Sequence, residues 1–301
     1  MIRLIIMRAY RSRLVLAVCV LAIPLAACGD DDSASSRPTA APATVAPTGS
    51  TAPTGATASG YVHSTGPDDV VVEIGFEGGF VPPEVLFTRV PNLLISGDGR
   101  AIELGPTTLE FPGPLLPNLQ ARSITEAGIQ ALLATADELG LLADVQYARN
   151  DLIADAPDTV VRISVDGATY EHRAYALGIE EGGETDPARA NLAAFVEAAA
   201  DLPGAVGASE LGAQAPFDGE EYLIRATPVG QGELVGGEVE AEIDPWPPES
   251  SVRLADASEC AVVLAAEGDA LFVNSSQATF FTDGEETYRV AAIPRLPGRG
   301  C

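Results

Sequence analysis

The chain is predicted to fold as an α+β protein with a mostly antiparallel sheet, and three Asp-Gly turns and two helical stretches carry that expectation. Asp98-Gly99, Asp166-Gly167 and Asp283-Gly284 each separate two runs rich in β-branched, aliphatic or aromatic residues, the pattern of a hairpin. Apolar residues at helical spacing recur after Ser123 and after Asp186.

Regular structure is expected to begin near Asp69, with Val70-Val71-Val72-Glu73-Ile74 as a strand. The glycines of Gly75-Phe76-Glu77-Gly78-Gly79-Phe80 could cradle a phosphate only if a helix followed directly. Val81-Pro82-Pro83 follows instead, which excludes a nucleotide loop. Residues 92–96 and 100–104 form the first hairpin, and a proline-rich loop runs to Asn118. Ser123 with Glu126 reads as a capping box, after which Ile129, Leu132, Leu133 and Ala136 share a helix face and Gly140 ends the helix. The second hairpin pairs 159–165 with 168–177. Asp186-Pro187 opens the second helix, which buries Leu192, Phe195, Val196 and Ala199 before Pro203-Gly204 stops it. Hairpin followed by helix, twice, reads as a duplicated hairpin-helix unit in pattern though not in residues.

Residues 203–219 are rich in Gly, Ala and Pro and mark a boundary. An α+β domain, 67–204, is expected before it and a β-rich part, 205–301, after it, unless the two form one domain. Residues 220–227 form a strand, Asp244-Pro245-Trp246-Pro247-Pro248 a rigid loop around the only tryptophan, and 260–266 a strand or a helix. The third hairpin joins 280–282 to 287–293, and the tail 294–301 completes the chain.

The N-terminus sets location. Arg3, Arg8, Arg11 and Arg13 precede an apolar run, 14–27, shorter than the ~20 residues of a spanning helix and interrupted by Pro24. It ends in Leu25-Ala26-Ala27-Cys28, and Gly29-Asp30-Asp31-Asp32 then turns abruptly polar. This segment resembles the type II signal of bacterial lipoproteins. The resemblance implies that residues 1–27 are removed, that the Cys28 thiol carries a diacylglycerol, and that the protein is held on the extracytoplasmic face of the cell membrane by an anchor of at least two acyl chains. Residues 28–66, largely Ala, Thr, Pro, Ser and Gly, are expected to be a disordered tether, with His63 a solvated bystander. The rest resembles uncharacterised lipoproteins of high-GC Gram-positive bacteria through its Asp-Gly hairpins and terminal cysteine, a likeness that brings no activity with it.

Composition excludes more than it assigns. All 17 basic residues are arginine, against 43 acidic ones, for a net charge of -26. So acidic a surface argues against nucleic acid and against electrostatic docking on anionic lipid. Besides Cys19 and Cys28, the chain has only Cys260 and Cys301, and an exported protein with two remaining cysteines most often pairs them.

No Gly-x-Ser-x-Gly, His-Glu-x-x-His or Walker-type motif occurs, and the folded part holds one histidine, His172, which alternates with its strand neighbours as a structural residue. Glu180, Glu181, Glu184 and Asp186 form the densest acidic cluster and are weak metal-ligand candidates, with Asp151, Asp155 and Asp158 a similar, weaker group, but they lack the EF-hand order and Asp186 already serves as a cap. A solvated loop is expected there, with no metal and no cofactor. The resulting expectation is an envelope lipoprotein acting as a non-catalytic binding or interaction module with a protein partner. A lipid-anchored receptor for a small solute or cation and a carboxylate-dependent cell-wall hydrolase are the alternatives.

Overall fold

The computed structural model describes residues 60–149, 153–179, 183–234 and 239–301. The described residues form one compact unit. Its first part contains β1 (Val70–Gly78), α1 (Pro83–Thr88), β2 (Leu93–Ser96), β3 (Arg100–Leu104), β4 (Leu119–Ser123) and α2 (Glu126–Glu138). Next come β5 (Pro157–Val165), β6 (Ala168–Tyr175), α3 (Pro187–Ala200), α4 (Leu202–Val206) and β7 (Ala215–Pro216). The remainder is β8 (Glu221–Pro228), α5 (Gln231–Leu234), β9 (Glu242–Pro245), β10 (Ala261–Leu264), α6 (Ala265–Phe272), β11 (Thr279–Asp283) and β12 (Glu286–Pro294).

The strands make two sheets, one of seven strands in the order β6-β5-β1-β2-β3-β4-β7 and one of five in the order β10-β8-β12-β11-β9. The α+β expectation holds: every pairing is antiparallel except that of β9 with β11. Side-chain alternation along the strands decides the layering. In β2, Leu93 and Ile95 join Ile129, Leu132 and Leu133 of α2 and Leu192 and Phe195 of α3 in one core. Leu94, between them, turns the other way and meets Leu223, Ile293 and Leu296 of the second sheet and its tail. In β8 the same alternation sends Tyr222, Ile224 and Ala226 to a third core with Trp246, Phe272 and Phe281. Helices, long sheet, short sheet and a cap of α6 with the Trp246 loop are therefore stacked in that order.

All three Asp-Gly hairpins form as read, with Gly99, Gly167 and Gly284 at positive φ. The first two flank β1 on either side, and α2 and α3 share one core. The strand β4 lies between hairpin and helix in the first unit only, so the two units correspond in pattern and not in detail.

Several boundaries move. Thr125 caps α2, accepting from the Gly128 N–H at 3.2 Å, because Ser123 is committed to β4, where it pairs with Arg100. Pro203-Gly204 does not stop the helical chain. Asp201 starts the short helix α4, and Pro203 takes an early position where its missing N–H is no loss. The segment 260–266 is strand and then helix. No domain boundary falls at 205: the chain still adds β7 to the first sheet, and a core shared by both sheets ties the C-terminal strands to it.

Residues 60–66 belong to the body and not to the tether. The Tyr61 N–H donates to Gln130 at 2.8 Å, the Gln130 amide donates back to the Tyr61 carbonyl at 2.8 Å, and the Val62 N–H donates to Asp166 at 2.9 Å. His63 is enclosed, its side chain 3% exposed, with one ring nitrogen 2.8 Å from the Ser64 carbonyl and the other 3.1 Å from Glu126. Composition cannot reveal such docking, since the partners are backbone groups and residues about 70 to 100 positions away.

Candidate functional site

Cys28, Glu180 and Glu181 lie outside the described residues. Cys260 and Cys301 form a disulfide with their Cα atoms 5.4 Å apart. The 41-residue closure is worth about 4 kcal/mol in the chain-entropy model. It also holds the tail in place, where Arg299 donates to the Arg89 carbonyl at 2.7 Å and Arg295 pairs with Glu221 at 2.9 Å.

Glu184 and Asp186 are brought together, but on an arginine. Both oxygens of Glu184 receive bonds from Arg189, at 2.6 and 2.8 Å, and both side chains are almost wholly enclosed. Arg189 also donates to the carbonyls of Ala148, Tyr175 and Ala176. Asp186 caps α3 through the Arg189 N–H. The Arg189 bonds hold the Glu184 carboxyl below its ordinary range. These carboxylates staple the loop to the helix, and among the described residues no group of three or more potential ligands could hold a metal.

His172 is fully buried, with Nε2 2.7 Å from the Leu141 carbonyl and Nδ1 2.8 Å from the Tyr147 hydroxyl. Burial lowers its pKa and raises that of Tyr147 to about 12, so a neutral ring donates to Leu141 and accepts from Tyr147. Both nitrogens are occupied, and the residue is structural.

The features that stand out are elsewhere, in the two ends of the seven-stranded sheet. At one end Asp98-Gly99 and Asp166-Gly167 close the strands, and Val62 docks on Asp166. The nine-residue β1 then runs about 30 Å to the other end, where Gly78 faces Pro157 and Leu93 faces Glu103. Thirteen large hydrophobic side chains are exposed among the described residues, and eight of them lie at this second, open end. Phe76 and Phe80 sit where β1 ends, Val85 and Leu86 on α1, Leu104, Leu109 and Phe111 at and beyond the end of β3, and Ile179 beyond β6. Phe80 is 89% exposed, and α1 buries no residue. Full burial of such a side chain is worth about 1.5–3 kcal/mol, so a concentration of them marks a surface awaiting cover.

An arginine cleft of about 150 Å³ adjoins this end, lined by Glu73, Glu77, Leu86, Arg89, Arg162 and Arg299. The short sheet covers Leu94, Ile102 and Leu119 of the long one. Beyond them, Glu73, Arg162 and Glu171 stand in register across β1, β5 and β6. Arg162 reaches Glu77 at 2.6 Å, Glu171 at 2.8 Å and Glu73 at 3.7 Å. Burial alone would raise the Glu77 pKa, but hydrogen bonds from Arg173 and Arg162 outweigh it and hold the carboxyl below its ordinary value.

Arg89 and Arg299 are less well compensated. Arg89 donates from Nη1 only to the backbone carbonyls of Phe76 and Gly78. The carboxylate nearest Arg299 is Glu73, at 3.8 Å, and burial lowers the Arg299 pKa. Arg162 is balanced by Glu77 and Glu171, so among the described residues the guanidinium groups of the cleft without a close carboxylate are those of Arg89 and Arg299. Their chemistry is that of anion recognition. Glu77, held ionised by its arginines, does not fit the role of a general acid.

Sequence reasoning missed this end. The available signal was the large apolar residues inside stretches otherwise read as Gly- or Pro-rich loop, Phe80, Leu109 and Phe111 among them. Arg89 and Arg299 are 210 positions apart, and no sequence pattern joins them. No protein family, curated protein or solved structure matches this chain.

Proposed function

We propose that this chain is a lipid-anchored, non-catalytic binding module of the bacterial envelope, and that the open end of the seven-stranded sheet is its docking surface. The observation that carries the reading is the exposure of Phe80, Val85, Leu86, Leu109 and Phe111 on the long connections at this end, with Leu86 lining the cleft that holds Arg89 and Arg299. Protein interfaces draw on such aromatic and arginine anchors, whereas a strongly acidic body is repelled by an anionic lipid surface. The N-terminal segment meets the body at the closed end, through Val62 on the Asp166 turn.

A photo-crosslinking side chain in place of Leu86, in intact cells, is expected to yield a discrete protein adduct, and one in place of the exposed Asp256, between the Trp246 loop and β10, none. Equal labelling at both positions, or none at either, overturns the docking reading. Mass spectrometry of the mature N-terminus is expected to find a diacylated Cys28, and an unmodified start at another residue overturns the anchor.

A further inference from the structure

Resting on that docking surface, we infer that its partner is a second copy of this chain, each copy seating Glu110, between Leu109 and Phe111, against Arg89 and Arg299 of the other. Leu109 is fully exposed and Phe111 69% exposed on the connection between β3 and β4. Glu110 between them is exposed and takes part in no ion pair among the described residues. This is an acidic, apolar finger. Arg89, Arg299 and Leu86 line one cleft and give it two guanidinium groups and an apolar flank. Finger and cleft thus carry opposite charges and matching apolar surface, and both stand at the open end.

A two-fold interface requires one patch to hold both halves of a complementary pair, so that the contact from the first copy to the second is repeated in reverse. The open end meets that requirement. A foreign partner would have to supply its own acidic, apolar element and would leave this finger without a role. Repulsion between two acidic bodies is screened within about 8 Å at physiological ionic strength, and confinement to one membrane raises the effective concentration.

The test uses the full chain in its own membrane, with two differently tagged forms expressed together. Glu110→Cys in one and Arg89→Cys in the other are expected to give a disulfide-linked heterodimer on a non-reducing gel, while Glu110→Cys with Asp256→Cys gives none. By co-precipitation, Glu110→Arg alone and Arg89→Glu alone each lower the self-association by roughly tenfold or more, as expected when an interfacial charge pair becomes a like-charge pair. Together they restore it: one contact of the mixed dimer then has both charges reversed, and the other is native. Misfolding of either variant could not produce that rescue, and Glu110→Arg lies on an exposed loop. Absence of the rescue, or self-association unchanged by both reversals, overturns the inference. A chain that stays monomeric while the probe at Leu86 captures a different protein overturns the second copy and leaves the docking surface standing. Loss of both removes both.

Discussion

The two ends of the long sheet are built from the same strands and finished in opposite ways. At the closed end, two-residue turns bring partners together within hydrogen-bond reach: Ser96 and Arg100 both bond Asp98, and Asp166 takes up the Val62 N–H. These bonds fix the turns, and a cavity whose lining includes His63, Asp69, Ser164 and Thr169 lies beside them. At the open end, the connections 79–92 and 105–118 are long and carry exposed apolar side chains, as loops on a rigid scaffold commonly do when they mediate binding. Long connections need other restraints. The buried Arg189–Glu184 pair supplies one beside β6, and the disulfide-held tail with Arg299 supplies the other beside β1.

The contrast breaks most visibly at the first restraint. Arg189→Met leaves Glu184 buried without its cation and is expected to lower the unfolding free energy by about 3–5 kcal/mol, read as a fall in the denaturant midpoint. The same pair makes stability pH-dependent. The folded-state pKa of Glu184 is depressed, so its contribution is complete above the unfolded value and is lost as the pH falls through the folded one. Glu184→Gln is expected to flatten that acid-side decline, and an unchanged slope would contradict the assignment.

Cys301→Ser comes second in size, at about 2–4 kcal/mol. It should also loosen Arg299 from Arg89 and so weaken docking at the open end, which a stability effect alone would not do. At the closed end, Gly99→Ala is expected to cost about 1–2 kcal/mol. Gly99 has φ +82°, and a Cβ there would stand 2.9 Å from the Ile124 carbonyl oxygen. Phe80→Asp, at the open end, should change stability by no more than about 0.5 kcal/mol while abolishing the crosslink at Leu86. If Phe80→Asp destabilises as much as Gly99→Ala, the open end is part of the fold and the comparison fails.

Much of the fold is legible in the sequence because its signals are local. A positive-φ turn needs Gly or Asp at known places, so the three hairpins can be placed from Asp98-Gly99, Asp166-Gly167 and Asp283-Gly284 alone. Helix faces appear in residue spacing, and Asp186-Pro187 marks a start whatever the surroundings. Elements without local punctuation escape. The strand β4 reads as a loop and a helix cap, and α1 begins at Pro83, in the Val81-Pro82-Pro83 stretch whose residues read against a helix. Glu184 looks like a member of an acidic loop because its partner's burial, and the three carbonyls Arg189 gathers, arise only when strands and helix meet.

By itself, the amino-acid sequence determined the strand pairs joined by tight turns, the two long helices and the two cysteines available for a bridge, since each depends on residues near one another or on a count. Only the tertiary structure decided that one end of the sheet is finished by tight turns and the other by long connections, and that Arg89, Arg162 and Arg299 meet in one cleft. Where strands end relative to one another depends on register and sheet order, and those are set by packing across the whole core rather than by any short stretch of chain.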